Sequence, residues 1–444
     1  MKKLFISFLL LPVVSLAQKN ISTLLDNYMQ AQVNVNEFTG TVLVAQKGKI
    51  IYEKAFGMAD REWNIPNTIQ SKFEIGSVTK QFTSACILQL VEQGKLSLDD
   101  KLSKYFADFP KADSVTIHML LTHTSGIKNI TEVPEFGKVA TLPLEKDSLV
   151  ALIKKQPYIF SPGTKWSYSS SGYFLLGYIV EKVSGKSYSD YVYNNVIQKA
   201  GLKNTCVNRW DSILLYRAKG YGKTTGGWKN ADYISMEGPY SAGAIISTIE
   251  DLYQWNNALF SNKIISAASF SKMTTPYKEH YGYGLSIDSF QHHLEIGHNG
   301  GINGFSSFLG RFPTDDVVVA GLSNDETANT TGIVNALAAI VFDIPVTTSY
   351  KHMEVKVDSS ILKRYVGAYK LPKAQIDLKT KEGKLYIHLQ DQIDEYEFKP
   401  ESETKFFFAP SPDAYQYEFE VDNKGKVIKA NFISAGVKNE IKKM

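Results

Sequence analysis

The stretch FEIGSVTKQFTSACILQLVEQGKLSLDD, Phe73 to Asp100, sets Ser77 and Lys80 three residues apart where an apolar run begins. Phe82, Cys86 and Leu90 follow at a spacing of four, with Ile87 and Val91 beside them. Apolar residues therefore wrap most of the circumference, which predicts a helix buried between layers. Gly94 is placed to end it. Residues at i and i+3 share a helix face, about 5–6 Å apart at Cβ. A serine hydroxyl is a poor nucleophile until something takes its proton. A lysine can take it only if the amine can be neutral. Burial lowers a lysine pKa, and the positive end of the helix dipole acts in the same direction. The start of a buried helix meets both conditions, and it also offers the backbone N–H of Ser77 to an oxyanion.

Spacing alone is weak, because Ser-x-x-Lys also occurs at Ser125, Ser269, Ser360 and Ser402. Ser77 differs in context: a strand-like Phe73-Glu74-Ile75, a flexible Gly76, then the buried helix. No Gly-x-Ser-x-Gly elbow is present, which disfavours an α/β-hydrolase. Chemistry of this kind needs a second proton-handling group and a strand edge with a second oxyanion N–H. Tyr168 is a candidate for the first. It sits in a Ser/Gly-rich loop feeding a helix (WSYSSSGYFLLGYIVEKVS, Trp166 to Ser184), with Pro162-Gly163 as the turn before it. Gly297-His298-Asn299-Gly300-Gly301, on a predicted strand, is the candidate for the other, its glycines permitting close approach to the backbone.

The chain has 444 residues, more than one core usually holds, so two domains are expected. A basic start (Met1-Lys2-Lys3), the apolar LFISFLLLPVVSLA and small residues near Ser15-Leu16-Ala17 read as a signal peptide over residues 1–17, the alternative being a single membrane anchor. An exported protein, periplasmic or secreted, is therefore expected. No other apolar run is long enough to span a bilayer, so no membrane span is expected in the mature chain. A net charge of +4, falling to +2 without Lys2 and Lys3, argues against a nucleic-acid partner. The two cysteines, Cys86 and Cys206, could pair, but Cys86 falls in the apolar helix pattern and reads better as a small buried thiol. There is no His-Glu-x-x-His and no Cys-rich ligand set, so neither a metal nor a cofactor is expected.

Further along, FTGTVLVAQKGKIIYEKAF (Phe38 to Phe56) reads as a β-hairpin around a Lys-Gly turn. Val115 to Ile127 reads as a short helix closed by Gly126. Asp251 to Leu259 reads as a helix capped by Ser247 or Thr248. Leu294 to Gly310 and Asp316 to Leu322 read as strands, the second continuously apolar and so central in a sheet. Near Val346 the character changes. Alternating patterns such as IDLKTKEGKLYIHLQ and YEFEVDNKGKVIKANFI predict a separate antiparallel β-domain over 346–444, after a catalytic domain over 18–345.

Six segments together resemble the serine β-lactamase and penicillin-binding-protein superfamily: FEIGSVTKQFT, TIHMLLTHTSGI, FSPGTKWSYSSSGYFLLGYIVEKVSG, YSAGAIISTIEDLYQW, YGYGL and GHNGGINGFSSFLGRFP. Within it the chain is most similar to the class C β-lactamase-related hydrolases, which include D-alanyl-D-alanine carboxypeptidases, D-aminopeptidases and family VIII-type esterases. The segments run in family order over about residues 30 to 345. The resemblance implies an α+β fold, an antiparallel sheet flanked by helices with a helical lobe, followed here by a lipocalin-like C-terminal domain. It implies Ser77 as acylated nucleophile, Lys80 as its proton partner and Tyr168 as the tyrosine of Tyr-x-Asn. It also implies His298-Asn299-Gly300 where relatives carry Lys-Thr-Gly or His-x-Gly, and Gly301 N–H beside Ser77 N–H in the oxyanion hole. Whether Lys80 or Tyr168 is the acylation base stays open at this point.

Two departures matter. Ser170 replaces the Asn of Tyr-x-Asn and lacks its paired amide donor and acceptor. His298 replaces the lysine and carries little charge at neutral pH, which weakens recognition of a substrate carboxylate unless an arginine such as Arg311 helps. THTSG and SAGAIIST read as turn and cap chemistry framing the cleft, and His123 as structural. The expected activity is hydrolysis through an acyl-enzyme on a small-molecule or peptide substrate. A D-amino-acid or cell-wall-type peptide is favoured over an ester, and a non-hydrolytic penicillin binder is the remaining alternative. Oligomeric state is not legible.

Overall fold

The computed structural model describes residues 13–209, 211–224, 226–371, 375–389, 395–408 and 415–444, with the side chains of 13–20 and of 389 left aside. Residues 39–334 form one compact unit; residues up to 38 together with those from 335 onward form a second. Residues 1–12, which hold most of the expected leader, lie outside the described residues.

The first unit is built on a six-stranded antiparallel sheet in the order Ser286–Phe290, His293–Ile302, Phe305–Phe312, Val317–Ser323, Gly40–Gln46, Lys49–Phe56. The hairpin predicted over 38–56 forms around Lys47 and Gly48, both left-handed (φ 51° and 72°), the backbone a two-residue hairpin turn requires. Val317–Ser323 is buried at every position, as its unbroken apolar run predicts. The stretch expected as one strand over 294–310 is two, His293–Ile302 and Phe305–Phe312, because the chain reverses at Asn303-Gly304 with Gly304 at φ 83°. Ile249–Phe260 packs on the sheet, and its N-cap is Thr248, whose hydroxyl accepts from Asp251 N–H.

Thr79–Glu92 runs through the middle of this unit, buried from Thr79 to Leu90. Phe82 stacks on Trp255 at 4.0 Å between ring centres, and the indole N–H donates to Gln81 Oε1 at 2.9 Å. Ser170–Ser184 packs beside it and ends at Gly185, left-handed at φ 69°. The helix expected over 115–127 is shorter, Ile117–Leu121. Its C-terminus is closed by Thr122, whose hydroxyl returns to the His118 carbonyl at 2.8 Å, and by His123 at φ 57°. Cys86 and Cys206 are both free thiols, and Cys86 is buried.

In the second unit, residues 367–443 form a closed eight-stranded antiparallel barrel with its strands in chain order. Tyr365, Tyr369, Phe406 and Phe419 fill its core. The N-terminal helix Val13–Asn34 belongs to the same unit, where Tyr28 Oη donates to the Ala435 carbonyl at 2.9 Å.

Candidate active site

Phe73–Glu74 pairs with Ile245–Ser247, and Ile75 N–H donates to the Ile245 carbonyl at 3.0 Å, so the residues before Ser77 are fixed to a strand. The chain then turns through Gly76 (φ 48°) and a single 3₁₀ turn, Gly76–Val78, into the long helix. Ser77 is thus at the mouth of the helix and Lys80 inside it. Lys80 has no exposed surface. Its Nζ lies 2.9 Å from Ser77 Oγ, 2.9 Å from the Ala242 carbonyl and 3.5 Å from Ser170 Oγ. Burial draws the amine down to about 7. No carboxylate is among these contacts.

Tyr168 closes the other side. Its hydroxyl is hydrogen-bonded to Ser77, and burial raises the phenol above its ordinary range. The Lys80 amine lies 5.0 Å from the centre of its ring. The loop that carries Tyr168 is held by THTSG: Ser167 N–H donates to the His123 carbonyl at 3.0 Å, and Ser169 N–H to His123 Nδ1 at 3.1 Å. His123 is buried, its ring 4.4 Å from that of Tyr168 and 4.6 Å from that of Tyr281. Burial and the nearby Lys80 and His298 hold it well below the usual imidazole range, so it is a neutral positioning group.

Ser77, Tyr168, Ser170 and Gly301 line one cavity of about 540 Å³. Gly300 lies behind it, where a Cβ would collide with the Ile75 carbonyl and Ser307 Oγ. A Cβ on Gly301 would meet nothing within 4 Å. His298 is buried behind Tyr168, its ring centre 6.2 Å away. Its Nδ1–H donates to the Asn299 carbonyl, and Tyr281 Oη bonds Nε2 at 2.8 Å. Burial, with the Lys80 amine nearby, drives its pKa to about 3, so the ring is neutral. Asn299 is exposed, and neither it nor His298 lines the cavity. Arg311 is elsewhere: it bonds Asn256 and Asn257 at 3.2 Å and Asp316 at 2.8 Å, and its guanidinium lies over Phe260. It cannot serve the cavity as the sequence suggested, because its place on the Phe305–Phe312 strand turns it to these partners.

Motif reading missed three features. The Ala242 carbonyl anchors Lys80, yet a backbone acceptor leaves no trace in side-chain identity. Phe136 and Ala140 wall the cavity from a segment without any motif, and so does Asp232. Among the described residues no helix is long and apolar enough to cross a membrane.

A family model described as Beta-lactamase matches residues 25–342, and a model described only as a domain of unknown function matches 351–439. Penicillin-binding protein 4* of Bacillus subtilis is 30% identical over 403 residues, 84% of this chain and 88% of that one. The teichoic acid D-alanine hydrolase of Staphylococcus aureus is 28% identical over 285 residues, 63% of this chain and 68% of that one. Among solved structures, a D-stereospecific amidohydrolase from a Streptomyces species superposes with a TM-score of 0.63 at 26% identity, covering 72% of this chain and 99% of that one. The chain belongs to the β-lactamase family and is a serine hydrolase of it.

Proposed function

From that membership we propose that the protein is an exported hydrolase working through an acyl-enzyme on Ser77. The carrying observation is the Lys80 amine: fully buried, 2.9 Å from Ser77 Oγ, and lowered to about 7. Lys80 takes the Ser77 proton as Oγ attacks the substrate carbonyl. Tyr168, a phenol kept protonated by burial, is placed to hand a proton to the leaving group. This division follows from the opposite shifts of the two groups, which together titrate as a unit. The N–H groups of Ser77 and Gly301 stabilise the oxyanion. As the leaving group departs, the Lys80 proton passes to Tyr168 and restores both groups. Water then attacks the ester carbonyl while Lys80 takes its proton, and that proton goes to Ser77 Oγ as the acyl C–O bond breaks and the acid is released.

The substrate we favour is a D-amino-acyl amide or cell-wall-type peptide. The similarity to a D-stereospecific amidohydrolase and to penicillin-binding protein 4* supports this choice. D-amino-acyl esters are the second reading. Ser170, where a Tyr-x-Asn motif would offer an amide, and the likeness to teichoic acid D-alanine hydrolase support that one.

The test is replacement of Ser77 by alanine. Hydrolysis of p-nitrophenyl esters and of D-Ala-p-nitroanilide should fall by roughly 10³-fold or more, and labelling by a fluorophosphonate or fluorescent penicillin should vanish. Label mapped to another residue, or turnover retained by Ser77→Ala, would reject the assignment. Comparing the two substrates on the native protein separates amide from ester chemistry.

A further inference from the structure

We infer that Asp232 makes the cavity selective for acyl groups that carry a free, positively charged amine, and against those that carry a carboxylate. This rests on the Ser77 hydrolase reading and adds to it the class of acyl group. The cavity walls are largely apolar, with Ile130, Phe136, Phe174 and Ile302 among them. Asp232 is the single charged residue of the lining. It is exposed, and no cation pairs with its carboxylate among the described residues. Arg217 and Lys219 line an adjoining pocket that shares Asp232. Both are engaged there: Arg217 donates to Asn208 Oδ1 at 2.7 Å and Lys219 pairs with Glu62 at 2.7 Å.

The backbone fixes where this carboxylate stands. Asn303 Nδ2 donates to the Asp232 carbonyl at 3.0 Å. Asn303 is two residues beyond Gly301, in the turn that follows the strand beside Ser77. Asp232 is therefore tied to the strand end that reaches the reacting carbonyl. An acyl group lying along that strand brings its α-substituent under the influence of Asp232. No arginine and no charged histidine in the lining offsets that field for a carboxylate. His298 is neutral and outside the cavity, Arg311 faces away, and the Lys80 amine is buried and held by Ser77 and the Ala242 carbonyl. Where the Lys80 amine is neutral, above pH about 7, Asp232 is the one fixed charge of the lining, and an ammonium is attracted and a carboxylate repelled. Tyr233 and Phe136, also in the lining, add aromatic surface that suits a cation. The hydrolase is thus fitted to remove an amino-acyl group from its amine end.

The experiment uses the full chain and three acyl groups: D-alanyl, N-acetyl-D-alanyl and N-succinyl-D-alanyl. Each is offered as p-nitroanilide and as methyl ester, so that leaving-group preference does not decide the outcome. p-Nitrophenyl butyrate reports Ser77 chemistry independently. The native protein should favour D-alanyl over N-acetyl-D-alanyl by about fivefold or more in kcat/KM, the size of an exposed ion pair. The preference should sit in KM and shrink as salt is raised. Asp232→Asn should bring the ratio towards one, and Asp232→Lys should shift preference to the succinyl substrate. An unchanged ratio in Asp232→Asn, or a native preference for the acetyl or succinyl group, overturns the inference while turnover of the butyrate leaves the Ser77 reading standing. Loss of all Ser77-dependent turnover in the native protein removes that reading itself.

Discussion

In the proposed mechanism the chemistry turns on Lys80, and its burial has a consequence that pH can read. Its amine is drawn to about 7, from an ordinary value near 10.5, because the helix interior excludes water. A base must be unprotonated, so activity is low at acid pH and rises as pH passes upward through about 7. At pH 6 roughly a tenth of the molecules hold a neutral amine, and at pH 8 roughly nine tenths. The acid limb of kcat/KM for a p-nitrophenyl ester should therefore have its midpoint near pH 7. Lys80→Ala should remove that limb and lower the rate by about 10²–10⁴-fold. A limb at pH 4–5, the range of a carboxylate, would assign the base elsewhere. At this scale much was legible in advance: the Ser77–Lys80 pair, the Tyr168 loop and the neutrality of His298 all follow from residue type and spacing. Arg311 shows the limit, since only its register on the Phe305–Phe312 strand directs it to Asp316 rather than to the cavity.

At the scale of elements, the meeting of the His293–Ile302 strand with the 3₁₀ turn at Ser77 is made possible by adjacent glycines with different duties. A Cβ on Gly76 would press on the backbone of Gly301, and Gly76 is also left-handed at φ 48°. Gly300 backs onto the Ile75 carbonyl, whereas Gly301 faces open space in the cavity. Gly300→Ala should force the strand away from Ser77, costing about 1–3 kcal/mol in urea unfolding together with activity. Gly301→Ala should leave stability within about 0.5 kcal/mol, while its new methyl group, projecting into the cavity, lowers kcat/KM. Equal destabilisation by both would contradict this division. The run Gly300-Gly301 signalled a close approach in the sequence, but not whose: at Gly300 the neighbour is the chain's own backbone. Likewise Gly126 was legible as a stop, yet the helix before it ends at Leu121, because the Thr122 hydroxyl and the left-handed His123 end it sooner.

At the scale of the whole molecule, the chain divides its work between a unit that holds the cavity and one that holds a closed barrel. The barrel has its own core, with Phe406 fully buried against Tyr365 and Phe419. Phe406→Ala should cost that unit about 3–5 kcal/mol. Hydrogen exchange should report it as faster exchange across 367–443. Unchanged exchange there would mean that Phe406 does not carry the barrel core. Trp63, Trp166, Trp228 and Trp255 belong to the other unit, so their fluorescence follows the cavity-bearing unit.

Local pattern determined the elements that depend on local physics. Apolar spacing wrote the buried helix, β-branched runs wrote the strands, and alternation after Val346 wrote a β-domain that proves to be a closed barrel. Ser-x-x-Lys in its setting already named the pair of groups that meet. The tertiary structure alone decided that Lys80 leans on a carbonyl 162 residues away, that His298 turns inward to Tyr281, and that Asp232 is the one charged residue among those lining the cavity. Dielectric environment and long-range approach are properties of the assembled core, and no short stretch of residues contains them.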